Sequence, residues 1–79
     1  MKLDDIVNVD PETLGGTPVF RGTRVPIRIL FQHLEAGENL DVFLDDFPSV
    51  SKDQAISLLA FLDNLIETNS IDRFREIAA

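Results

Sequence analysis

The sequence predicts a mainly α protein: a three-helix, helix-turn-helix-like bundle with a small N-terminal β-hairpin or short antiparallel sheet. Three observations carry this. Apolar residues recur with helical spacing in three windows between residues 26 and 68. Gly37, Asn39, Pro48 and Ser51 separate those windows, and these residue types end or cap helices. Upstream, Pro18-Val19-Phe20 and Val25 flank Arg21-Gly22-Thr23-Arg24, which reads as a tight turn between two short apolar pieces. The 79 residues make one domain: a hairpin region at 5–26, a bundle at 26–68 and a short helical tail at 69–79.

The elements follow in order. Ile6-Val7-Asn8-Val9 is β-prone and Asp10-Pro11 is a turn signal, as is Gly15-Gly16. Residues 5–26 therefore read as two or three short strands. Gly22 is free to take positive φ at the hairpin tip. Pro26 suits the first turn of a helix that runs to about Ala36. Ile27, Leu30, Phe31 and Leu34 form its apolar stripe, Ile29 lies outside it, and Gly37 is a C′ residue. Asn39 caps a second helix whose stripe is Leu40, Phe43, Leu44 and Phe47, and Pro48 stops it. Ser51-Lys52-Asp53-Gln54 is a capping box, with Val50 and Ala55 placed as a hydrophobic staple. The third helix runs to about Thr68 and presents Ala55, Leu58, Leu59, Leu62, Leu65 and Ile66, a face wide enough for a core or a dimer interface. Leu62 is expected to be a core residue. Ser70 caps a last helix bearing Ile71, Phe74 and Ile77.

Charge divides the chain. Residues 13–34 contain Arg21, Arg24 and Arg28 and no acid. The whole chain carries −7, and residues 39–68 carry six acids against one base, Lys52. A chain without cysteine has no disulfide or thiolate metal site, which fits a reducing cytosol, and its short length favours a homodimer. The first residues lack the apolar core of a signal peptide, and no apolar run approaches a membrane span. A cytoplasmic protein without membrane contact is the expectation.

The connection Pro48-Ser49-Val50 before a capped helix has helix-turn-helix spacing. In that motif Lys52, Gln54 and Ser57 would face nucleic acid. A net of −5 over this region opposes it, because phosphate neutralisation supplies most DNA affinity. The arginine hairpin is the better nucleic-acid element, with Arg21, Arg24 and Arg28 reaching phosphates or guanine edges from a two-stranded ribbon. The alternative for Arg24 is structural: a bidentate pair with one of the many acids. Ile71, Phe74 and Ile77 either fill a partner's groove or fold back on the bundle.

Catalysis finds no constellation. His33 is the sole histidine, beside the apolar stripe of the first helix and with no nucleophile next to it, so a surface or half-buried histidine is expected. Asp45 and Asp46 project about 100° apart on a helix and do not converge on one metal. Neither an enzyme, a metal nor a cofactor is expected.

Gly16-x-Pro18-Val19-Phe20-x-Gly22-Thr23-Arg24-Val25-Pro26, then Gly37, then Phe47-Pro48 and a capped helix, resemble the family known as domain of unknown function 433. The resemblance spans about residues 5–65. Members of that family are similar to VapB-type antitoxins, with a homeodomain-like or helix-turn-helix helical part. The resemblance implies a small dimeric antitoxin that neutralises a PIN-like nuclease toxin and binds its operator DNA, with Gly22 and Arg24 in the signature loop. The competing expectation is a protein–protein interaction module that does not bind DNA.

Overall fold

Local capping chemistry sets the helices, and the buried pair Val19-Phe20 sets how they pack. The computed structural model describes residues 2–67. The expected tail helix, and Ile71, Phe74 and Ile77 with it, lies outside the described residues. The elements are α1 (Leu3–Ile6), β1 (Val7–Asn8), a 3₁₀ turn (Leu14–Gly16), β2 (Val19–Phe20), α2 (Ile27–Glu35), α3 (Leu40–Asp46) and α4 (Lys52–Glu67). The fold is mainly helical, with a small antiparallel sheet.

α1 is an addition to the expected layout, and the β-prone run begins at Val7 rather than Ile6. Its four residues are too few to show helical periodicity. Local bonds form it instead: the Lys2 N–H donates to Asp5 Oδ2 at 3.0 Å and the Asp5 N–H to the Lys2 carbonyl at 2.9 Å. Asp4 and Asp5 also sit in its first turn, where the helix dipole favours negative charge.

β1 pairs with β2 in register Val7↔Phe20 and Asn8↔Val19. Val19 also bridges to Pro26, so β2 lies between β1 and the chain entering α2. The Phe20 N–H donates to the Val25 carbonyl at 2.9 Å, and the Ile27 N–H to the Pro18 carbonyl at 3.0 Å. The hairpin tip closes with the Thr23 N–H on the Phe20 carbonyl at 3.0 Å. Gly22 has φ +80°, the value position i+2 of a type II turn requires.

Pro26 is the N-cap of α2 rather than its first residue. Asn39 Oδ1 accepts the Val42 N–H at 3.1 Å, as its cap assignment requires. At α4, Ser51 Oγ accepts the Gln54 N–H at 3.0 Å while Gln54 Oε1 accepts the Ser51 N–H at 3.1 Å, a reciprocal capping box.

Ile6, Phe20, Leu30, Phe43, Val50, Ala55 and Leu58 form one buried cluster, and Val19 is fully buried. Phe20 meets Phe43 with ring centroids 5.9 Å apart. Two expectations need correcting. Ile29 packs against the core although it lies off the helical stripe, while Leu34 on the stripe is exposed, because neighbours cover α2 on more than one side. Leu62 is half-buried, since the described core reaches along α4 only as far as Leu58.

Burial therefore ranks two truncations. Leu58→Ala removes about 2–5 kcal/mol of stability, and Leu62→Ala removes less, as urea unfolding of the two variants will read. Equal losses would place Leu62 in the core. Gly22→Val lowers Tm, because a β-branched side chain is strained at positive φ; an unchanged Tm would contradict the turn.

Candidate functional site

Gly22-Thr23-Arg24 is a built loop. Gly22 turns the chain, and the Thr23 hydroxyl donates to the Phe20 carbonyl at 2.8 Å and accepts the Val25 N–H at 3.0 Å. The Thr23 hydroxyl thus bridges the two sides of the loop, and the buried Phe20 anchors its base. Arg24 is left exposed beyond the clamp.

The three arginines do different things. The Arg21 guanidinium is turned back onto α1: its Nε donates to the Asp4 carbonyl and its Nη2 to the Val7 carbonyl at 3.4 Å. The Asp4 carbonyl lies in α1, whose end leaves acceptors unpaired, and the Val7 carbonyl belongs to the residue that caps it. Arg21 is therefore a helix-end clamp. Arg24 and Arg28 are exposed and form no ion pair with the described residues, so the bidentate pair considered for Arg24 is not made there. Arg28 borders an open apolar hollow lined by Thr17, Pro18, Ile27 and Phe31.

Lys52 is exposed at the first position of α4. Gln54 is engaged at both ends of its amide. Its oxygen completes the capping box, and its Nε2 donates to the Arg21 carbonyl at 2.9 Å, tying the start of α4 to the hairpin. Among the described residues, the exposed cationic side chains outside an ion pair or the Arg21 clamp are Lys2, Arg24, Arg28 and Lys52.

The His33 region holds an arrangement that spacing in the sequence does not reveal. α2 ends in a Schellman motif: the Glu38 N–H donates to the His33 carbonyl at 3.0 Å and the Gly37 N–H to the Leu34 carbonyl at 3.0 Å, with Gly37 at φ +83°. That motif sets the residue after the glycine against the helix residue five back. Here those residues are Glu38 and His33, and Glu38 Oε2 lies 3.5 Å from His33 Nε2. α3 packs on α2 and brings Asp46 Oδ2 to 3.1 Å from the same nitrogen. The Gly37 signal is legible in the sequence; the approach of Asp46 depends on tertiary packing.

The other ring nitrogen of His33, Nδ1, lies 3.0 Å from the Ile29 carbonyl. A carbonyl only accepts, so Nδ1 carries a proton and Nε2 faces the carboxylates. Phe43 and Phe47 hold the ring edge-to-face, with centroids 5.5 Å and 5.9 Å away. The hydrogen bond to Asp46 raises the His33 pKa above its ordinary 6.5, the Ile29 carbonyl and the charges of Glu38 and Asp46 add to this, and partial burial opposes it.

The family described as "Protein of unknown function (DUF433)" matches residues 7–62. An uncharacterised protein of Sinorhizobium fredii, y4eO, is 40% identical over 50 residues, which cover 63% of this chain and 23% of that protein. The matched region thus spans about a quarter of that relative's length. The crystal structure of a DUF433 member from Anabaena variabilis superposes with a TM-score of 0.63 at 23% identity, covering 98% of this chain and 72% of that one. At that identity the likeness concerns the fold. No described helix is long and apolar enough to cross a membrane.

The raised pKa of His33 gives a pH dependence of definite sign. A protonated His33 binds its two carboxylates in the folded state, so its stabilising effect is complete below the ordinary pKa of 6.5 and is lost as pH rises through the higher folded value. Urea midpoints of the wild type and His33→Gln, measured in chelator from about pH 6 to about pH 9, should converge as pH rises. A gap independent of pH would contradict the ion pair.

Proposed function

The chain belongs to the DUF433 family, and from that premise we propose that it is a non-enzymatic, antitoxin-like regulator of the VapB type. In this reading a homodimer covers a PIN-like nuclease toxin with its acidic surface and contacts operator DNA through the hairpin edge. The observation that carries it is the solvent-facing pair Arg24 and Arg28 on a protein that is otherwise acidic. A cationic edge suits phosphate, and an acidic body suits the basic surface of an RNA-cleaving partner. Exposed Ile56 and Ile66 on α4 offer apolar surface to a second subunit.

The helix-turn-helix reading places α3 and α4 as the two helices of that motif, with Lys52 at the start of the second. The engagement of Gln54 with the Arg21 carbonyl, and the −5 charge of this region, shift the DNA contact from α4 to Arg24 and Arg28. The same two facts favour the second reading, a protein-interaction module that does not bind DNA. Ile71, Phe74 and Ile77 remain candidates for the toxin contact in either reading.

Gel-shift titration on the chain's own promoter tests the proposal. Arg24→Ala with Arg28→Ala should weaken binding and lower the slope of log affinity against log salt by about 2. Undiminished affinity in the folded double variant would remove the hairpin edge from DNA binding. Absence of binding by the wild type, with the neighbouring nuclease still inhibited, would establish the second reading.

A further inference from the structure

We propose that His33, Glu38 and Asp46 form a binding site for a divalent transition-metal ion, with zinc(II) the ion whose tetrahedral ligand spacing theirs matches. One donor atom from each residue lies within 4.8 Å of the other two. The two distances from His33 Nε2, 3.1 Å to Asp46 and 3.5 Å to Glu38, bracket the separation of about 3.3 Å between neighbouring ligands of a tetrahedral zinc with bonds near 2.0 Å.

The support behind the ligands has the form that metal-binding histidines use. A ligating imidazole donates its second N–H to a carbonyl or carboxylate, which fixes the tautomer and turns the free nitrogen to the ion. His33 Nδ1 donates to the Ile29 carbonyl, from outside the cluster, and Nε2 faces both acids. Edge-on packing by Phe43 and Phe47 limits ring rotation. The Schellman motif holds Glu38 against His33 through the backbone, so two of the three ligands come from one helix end. The third arrives with the last residue of α3.

One imidazole and two carboxylates make a mixed N/O set. Imidazole favours zinc, iron, copper and nickel over magnesium or calcium. Glu38 and Asp46 are exposed, which leaves an approach for the ion and room for water as a fourth ligand. With neutral His33 the cluster carries two negative charges and no cation, and a divalent ion balances them. Bound there, the ion would cross-link α2, the Gly37 turn and α3, a metal staple for a small domain without disulfides.

The test uses the full chain, stripped with chelator and dialysed into a non-coordinating buffer. Zinc chloride should bind with one-to-one stoichiometry by calorimetry and raise Tm by about 5 °C or more at saturating metal. Cobalt(II) should give the visible absorption bands of a four-coordinate site. Glu38→Gln, a surface change, and Asp46→Asn should each weaken zinc binding at least about tenfold, the scale of losing one ligand interaction worth a factor of ten. His33→Gln should abolish the cobalt bands, and the two carboxylate variants decide the matter if His33→Gln does not fold. The absence of heat and of a Tm shift at millimolar zinc overturns the proposal. So does binding that survives the carboxylate substitutions, or an equal Tm shift with magnesium, which is the response of a general acidic surface. The readouts do not involve Arg24 or Arg28, so they stand apart from the regulator reading.

Discussion

The burial of Phe20 is the constraint on which the rest of the molecule depends. A chain of this length buries a limited fraction of its surface, and helices of seven to sixteen residues need a common surface to pack on. β2 supplies it. Its two residues, Val19 and Phe20, are wholly buried, and the Phe20 ring lies against Phe43 of α3. The hairpin is thus part of the core rather than an appendage to the bundle. Its backbone bonds join β1, β2 and the entry to α2, while Gln54 ties α4 to the same loop.

From that constraint the exposure of the loop follows. With Phe20 directed inward and the turn closed by Gly22 and Thr23, Arg24 is carried to the outside. Arg21, next to Phe20, finds the carbonyls of Asp4 in α1 and of its cap Val7 instead. Two arginines three residues apart thereby acquire opposite duties, one closing a helix end and one facing solvent. Composition cannot distinguish them, since the difference lies in which backbone carbonyls are within reach.

Much of the helical layout was legible in the sequence. Asn39, the Ser51–Gln54 box, Gly37 and Gly22 act through bonds a few residues long, and local chemistry of that kind survives folding unchanged. α1 was not legible, because four residues give no period. The membership of Ile29 in the core, and the half-burial of Leu62, depend on which neighbours arrive on each side, and sequence pattern carries little of that. The candidate site divides in the same way. The pairing of His33 with Glu38 is contained in the local motif around Gly37, yet histidine beside an apolar stripe reads first as an isolated residue. Asp46 reaches His33 from thirteen positions away, through the packing of α3 on α2. Asp46, which the sequence sets beside Asp45, meets His33 and Glu38 instead.

Native-state hydrogen exchange reads whether the hairpin and the bundle open as one unit. The Phe20 amide donates to the Val25 carbonyl at the heart of the hairpin, and its opening free energy reports whether that segment unfolds by itself. If the hairpin belongs to the core, Phe20, Phe43 and Leu58 amides exchange with the same free energy, equal to that of global unfolding. Exchange of Phe20 at a much lower free energy, with Phe43 and Leu58 still protected, would show a bundle that holds together without its hairpin and would contradict the account.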